Sequence, residues 1–117
     1  MENLYTVVEF PGYTKKSEEI FDEEERNSII NHLSRNPLAG AIIPETGGCR
    51  KVRWGSDGRG KRGGSRVIYY FYDGNNPVVI IDVYAKKDKT DLSQDDKKYL
   101  RSVAKKLKDN FSQKGVN

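Results

Sequence analysis

Residues 47–66, GGCRKVRWGSDGRGKRGGSR, combine seven basic side chains with one acid and seven glycines. The formal net charge of this window exceeds the +4 of the whole chain, so the rest of the sequence is slightly acidic. Concentrated positive charge beside an aromatic residue, Trp54, is the pattern of a surface that binds a polyanion. The simplest polyanion with that chemistry is a nucleic acid.

The spacing of the cations also permits phosphodiester cleavage. Lys51 and Arg53 are two residues apart on a predicted strand and share a face, Arg66 opens a second strand, and Lys86 and Lys87 close a third. In RNA cleavage the 2′-hydroxyl attacks the phosphorus, a base of lowered pKa takes its proton, cations stabilise the phosphorane, and an acid protonates the leaving 5′-oxygen. Crowded cations lower the pKa of a lysine. Simple RNA binding, with Trp54 stacked on a base, requires the same composition.

Other chemistries lack the context that they need. The glycine spacing at 58, 60 and 63 matches a dinucleotide fingerprint, and Gly55 to Lys61 matches a phosphate loop, but a strand follows where both motifs require a helix. His32, the single histidine, lies in an amphipathic helix, and Cys49 has no histidine near it to activate it, so both are predicted to be structural. No ligand spacing indicates a metal site. We expect neither a cofactor nor a metal.

The remaining pattern predicts an α+β fold in one domain, residues 1–117. A strand at 4–10 precedes a short helix from Thr14 and a second helix behind the capping box of Asp22 and Glu25. Three strands follow at 49–54, 66–72 and 78–85, and Ser93 with Asp96 caps a last amphipathic helix. The order is β, α, α, β, β, β, α, which is typical of helices packed on an antiparallel sheet.

The N-terminus has no apolar segment typical of a secretory signal, and no apolar run is long enough to cross a membrane. A single cysteine excludes an internal disulfide and fits a reducing compartment. We therefore expect a cytoplasmic protein with no membrane partner.

Three blocks, GGCRKVRW, GRGKRGGSRVIYYF and VYAKKDKTDLS, resemble in order and spacing the HigB-type branch of the RelE/ParE toxin superfamily. With the N-terminal strand and the acidic helix, the resemblance covers essentially the whole chain. It implies a RelE-like fold, with a sheet of about four antiparallel strands and a mixed edge, two N-terminal helices and one C-terminal helix. It further implies the toxin of a type II toxin–antitoxin pair. RelE-like members are endoribonucleases that cut mRNA in the ribosomal A site without metal.

The resemblance also implies roles for individual residues. Arg66 matches the family arginine that contacts the scissile phosphate, and Lys51 and Arg53 match basic catalytic or phosphate-binding positions. Lys86 matches a second cationic group, and Tyr84 is the candidate substitute for a C-terminal tyrosine that has no equivalent after Lys87. The general base is open between Lys51, Lys86 and Tyr84, with a lysine favoured. The RNA-binding set is predicted to be Arg50, Trp54, Arg59, Lys61, Arg62 and Lys87.

The partners that the resemblance implies are mRNA, the 70S ribosome and a cognate HigA-type antitoxin with a helix-turn-helix domain. Operator DNA would be bound only by the toxin–antitoxin complex, and the free toxin is expected to be a monomer. Two alternatives stay open. One is a ParE-like toxin that poisons DNA gyrase without nuclease activity, and the other is an RNA-binding module without catalysis.

Overall fold

The computed structural model describes residues 4–55 and 64–114. Its elements, in chain order, are β1 (Val7–Glu9), α1 (Pro11–Ile20), α2 (Glu23–Arg35), β2 (Ala41–Ile42), β3 (Arg50–Trp54), β4 (Ser65–Phe71), β5 (Val78–Ala85) and α3 (Gln94–Lys114). None of the described helices is both long and apolar enough to span a bilayer.

The five strands form one sheet in the order β1-β5-β4-β3-β2. β1 runs parallel to β5, and the other neighbours are antiparallel, so the predicted α+β class with a mixed edge is confirmed. The expected hairpin of β4 and β5 lies at the centre of the sheet. The count of about four strands is one too low, because β2 has only two residues and a pair of residues carries no recognisable alternation.

Helices cover the sheet on both faces. On the face that we call the α1–α2 face, Tyr13 of α1 and Ile29 and Leu33 of α2 pack with Val67 and Ile80 of the sheet. On the opposite, α3 face, Leu100 and Ala104 of α3 pack with a different set of strand residues: Ile68, Tyr70, Val79, Ile81 and Tyr84. The alternation of side chains along each strand therefore decides which helical layer a residue meets.

A bulge in β5 changes that alternation. The β4–β5 register shifts between Ile68 and Tyr69, because Ile68 pairs with Asp82 and Tyr69 pairs with Ile80. Ile81 is the extra residue, and both Ile81 and Tyr84 belong to the core cluster on the α3 face although they are three positions apart. Without the bulge, Tyr84 would point to the α1–α2 face.

The ends of the helices follow local chemistry. The capping box at the start of α2 is confirmed, since Asp22 accepts from the Glu25 amide at 2.8 Å and Glu25 accepts from the Asp22 amide at 3.2 Å. The first helix begins at Pro11, before the predicted Thr14. Proline is favourable in the first turn of a helix because its missing N–H has no intrahelical partner there.

The segment between α2 and β3 is fastened to the sheet by Tyr69. Its hydroxyl donates to the Pro37 carbonyl and accepts from the Gly40 amide, both at 2.8 Å, and the ring is completely buried. Gly40 must be glycine, because a Cβ there would lie 2.8 Å from both the Lys51 carbonyl and the Tyr69 ring. These contacts hold β2 against β3, the strand that carries the predicted cations.

Candidate active site

Three predicted site residues form a row across the sheet. Arg53 of β3 pairs directly with Arg66 of β4, and Arg66 pairs directly with Tyr84 of β5. Directly opposed residues in an antiparallel sheet project their side chains to the same face. Because Tyr84 belongs to the core cluster on the α3 face, all three side chains lie on that face. We call Arg53, Arg66 and Tyr84 the central row.

Two lysines flank the central row. Lys51 precedes Arg53 by two residues, so it shares the face of the row, and its side chain is half-buried. Lys86 follows the end of β5, and its amide donates to the Gly64 carbonyl at 3.1 Å, beside the start of β4. Lys87 is exposed in the turn that follows. The prediction that Arg66 lies at the same end of the hairpin as Lys86 and Lys87 is thus confirmed by the register.

Tyr84 is the buried member of the row, with 7% of its surface exposed. Its hydroxyl has no hydrogen-bond partner among the residues described. Burial raises the pKa of the phenol above its ordinary value; Arg66 opposes this effect, while Asp91 and Asp96 add to it. The phenol is therefore protonated at neutral pH, and it can donate a proton but cannot serve as a base there.

Lys89 and Asp96 adjoin Tyr84, although their types alone did not single them out. The Lys89 ammonium lies 5.3 Å from the centroid of the Tyr84 ring and 2.9 Å from a carboxylate oxygen of Asp96. Asp96 is the helix-capping partner of Ser93, as the sequence predicted. The capping pair of Ser93 and Asp96 is visible in the sequence and predicts where α3 begins. It does not predict that the Lys89 side chain contacts Asp96.

Arg50 and Trp54 lie on the other face of β3. The Arg50 guanidinium donates to the carbonyls of Gly40 at 2.7 Å and Leu38 at 3.4 Å, which secures the segment before β3. The Trp54 ring packs on His32 of α2, with centroids 5.4 Å apart. The structure does not bring these two predicted RNA-binding residues to the central row. The other three predicted RNA contacts in the glycine-rich segment, Arg59, Lys61 and Arg62, lie outside the described residues.

A family model for the RelE toxin of the RelE/RelB toxin–antitoxin system matches residues 9–116. The chain belongs to the RelE toxin family. A solved structure of the E. coli toxin RelE, in the free state and with two arginines replaced by alanine, is similar in fold. It aligns with a TM-score of 0.55 and 14% sequence identity, over 74% of this chain and 88% of the E. coli chain. The RelE-like fold that the sequence motifs implied is confirmed.

In this RelE-family chain Cys49 is part of the core, as predicted. It is completely buried, and burial raises the pKa of its thiol to about 11. Its sulfur lies 3.7 Å from the Leu100 carbonyl of α3. A buried, protonated thiol is a poor nucleophile. Within residues 4–55 and 64–114, no group of three His, Cys, Asp or Glu side chains is placed to hold a metal ion.

Proposed function

We propose that this RelE-family toxin is an endoribonuclease of the HigB type that cuts mRNA in the A site of the translating ribosome. The observation that carries the proposal is the central row, in which two arginines and a protonated phenol lie side by side on three adjacent strands. Such a row matches the needs of a pentavalent phosphorane, which requires positive charge at its equatorial oxygens and a proton for the leaving group.

We assign each residue of the site one role. Arg66 contacts the scissile phosphate through its planar fork of N–H donors, and the exposed Arg53 adds a second guanidinium. Lys51 is the general base that takes the proton of the 2′-hydroxyl, and Lys86 is a second cation at the other side of the row. The Tyr84 hydroxyl is buried in the free protein. Once RNA binding exposes this hydroxyl, which is protonated at neutral pH, it donates a proton to the 5′-oxygen. No step in this scheme calls for a cofactor.

Cations around the central row would bind the phosphates of the RNA substrate. We assign this role to Lys87 and, from the glycine-rich segment, to Arg59, Lys61 and Arg62. Arg50 and Trp54 are not assigned a contact with the substrate, because Arg50 binds backbone carbonyls and Trp54 packs on His32 on the other face of the sheet.

The proposed biology follows from family membership. We infer that residues 1–117 act as one domain in the cytoplasm, that the free toxin is a monomer, and that a HigA-type antitoxin with a helix-turn-helix domain neutralises it. Operator DNA would then be bound by the toxin–antitoxin complex and not by the toxin alone.

Induction of the gene in a bacterial host, alone and together with its neighbouring gene, tests the proposal. Growth should stop with the toxin alone and continue with the neighbour, and pulse-labelling should show that protein synthesis falls before DNA synthesis. A fall in DNA synthesis first, with cleaved DNA trapped on gyrase, would contradict the proposal and indicate a gyrase poison. Growth without arrest, combined with salt-dependent RNA binding, would indicate a binding module.

A further inference from the structure

One carboxylate oxygen of Asp96 accepts two hydrogen bonds at the start of α3. It accepts from the Ser93 amide at 3.0 Å, which closes the helix cap, and from the Lys89 ammonium at 2.9 Å. The Ser93 hydroxyl in turn accepts from the Asp96 amide at 3.0 Å. The amide of Ser93 and the ammonium of Lys89 hold the pKa of Asp96 below its ordinary value, so the carboxylate is charged at neutral pH. The Lys89 side chain is thereby held at the capped N-terminus of α3.

Lys89 in turn lies against the site. Its ammonium is 5.3 Å from the centroid of the Tyr84 ring, within the range of a cation–π contact. Leu92 and Leu100 belong to the same core cluster as Tyr84, so the ring has apolar neighbours as well as this cation. The Tyr84 hydroxyl has no described partner that fixes its direction. The orientation of the phenol therefore depends on what packs against its ring.

The contact between Asp96 and Lys89 also affects the turn that contains Lys86 and Lys87. The amides of Asp88 and Lys89 both donate to the Ala85 carbonyl, at 2.9 and 3.3 Å, so the turn after β5 is tightly closed. Lys86 and Lys87 lie within that turn. Because Asp96 holds the side chain that ends the turn, it also limits where these two cations can move.

We propose that Asp96 is a positioning residue of the active site, which holds Lys89 against the Tyr84 ring and so fixes the phenol and the turn beside the central row. This inference rests on the proposed nuclease function. Asp96 acts through Lys89 and does not itself contact the RNA. A lost constraint of this kind misplaces reacting groups, and misplacement by about 1 Å can cost up to about 100-fold in rate.

The test compares Asp96→Asn, Lys89→Met and the double variant with the wild-type protein. Asparagine keeps an oxygen that can accept from the Ser93 amide, so the helix cap and the fold are preserved. Single-turnover cleavage of mRNA on programmed ribosomes should fall on the order of tenfold in each single variant. The double variant should be no slower than Lys89→Met, because Asp96 acts through that lysine.

Asp109→Asn is the matched control, since Lys105 and Asp109 form a similar but more exposed pair on the helix that carries Asp96, with nitrogen and oxygen 3.3 Å apart. It should cleave at the wild-type rate. If the double variant is slower than Lys89→Met by the same factor by which Asp96→Asn is slower than the wild type, the two residues act independently. That result would overturn the proposal and leave Asp96 with a structural role.

An NMR measurement on the free toxin separates this inference from the proposed function. The ε-methylene protons of Lys89 should be shifted by the ring current of Tyr84 in the wild type and return toward their unperturbed position in Asp96→Asn. An unchanged shift in Asp96→Asn, or a lost shift with an unchanged cleavage rate, would overturn the positioning role. If the wild-type toxin leaves mRNA uncut but shows the expected Lys89 shift, the proposed nuclease function is wrong, and the active-site role of Asp96 is wrong with it. The contact between Lys89 and Tyr84 would still be confirmed.

Discussion

Arg66 and Tyr84 lie directly opposite each other on the two central strands of the sheet. Arg66 is half-buried and Tyr84 is almost completely buried, so a positively charged residue lies beside a neutral proton donor. Electrostatic stabilisation is strongest where groups of this kind are held in place before the substrate arrives. The β5 bulge at Ile81 places Tyr84 on the face of the sheet that carries Arg53 and Lys51.

Replacement of Tyr69 by phenylalanine tests how the segment before β3 is held. The substitution removes a hydroxyl that donates to the Pro37 carbonyl and accepts from the Gly40 amide, so both backbone groups lose a buried partner. We expect the free energy of unfolding to fall by about 1–3 kcal/mol in urea denaturation.

Tyr70→Phe is the control for this substitution. Tyr70 is a buried neighbour on the same strand, and the contacts with Pro37 and Gly40 are made by Tyr69 and not by Tyr70. Tyr70→Phe should lower the free energy of unfolding by much less than Tyr69→Phe. Equal losses in the two variants would contradict the role given to the Tyr69 hydroxyl.

Lys51→Met should lower single-turnover cleavage by about 10²–10⁴-fold, the range that a general base contributes. Lys86→Met should cost much less, because it removes a flanking cation and leaves the base in place. Lys15→Met, an exposed lysine of α1, is the control and should have no effect. An inactive Lys86→Met beside an active Lys51→Met would transfer the role of base to Lys86.

Tyr84→Phe removes the proton donor but keeps the ring that Lys89 contacts. Burial raises the pKa of this phenol above its ordinary value near 10, so it stays protonated from about pH 6 to 9. The rate should therefore fall by about 10²-fold at every pH in that range, with no change in the shape of the pH–rate profile. A step in the wild-type profile that disappears in the variant would show that the phenol titrates there, contrary to this account.

The fold was largely predictable because its signals are local. The capping box of Asp22 and Glu25, the apolar stripe of α3 and the strands around Tyr69 and Ile80 each depend on residues that are close in sequence. β2 was missed because it exists only through its pairing with Arg50 and Lys51.

The candidate site was predictable only in part. Alternation already separates Lys51 and Arg53 from Arg50 and Trp54, so their placement on opposite faces of β3 follows from the sequence once β3 is recognised. The face of Tyr84 does not follow, because the bulge at Ile81 shifts the alternation. The contact of Lys89 with Asp96 cannot be predicted from the sequence either, because the turn after β5 brings together residues from different elements.

Primer extension on mRNA that is being translated in the presence of the purified toxin tests the central claim most directly. Wild-type toxin should produce cuts at the codon in the A site, and Arg66→Ala should reduce them by at least about 10²-fold, because a preorganised contact to the phosphorane is lost. Arg66→Lys should recover only part of the activity, since an ammonium keeps the charge without the planar fork. Arg35→Ala, at the end of α2, should cut like the wild type. Uncut mRNA on actively translating ribosomes with the wild-type toxin, or full cleavage by Arg66→Ala, would contradict the account.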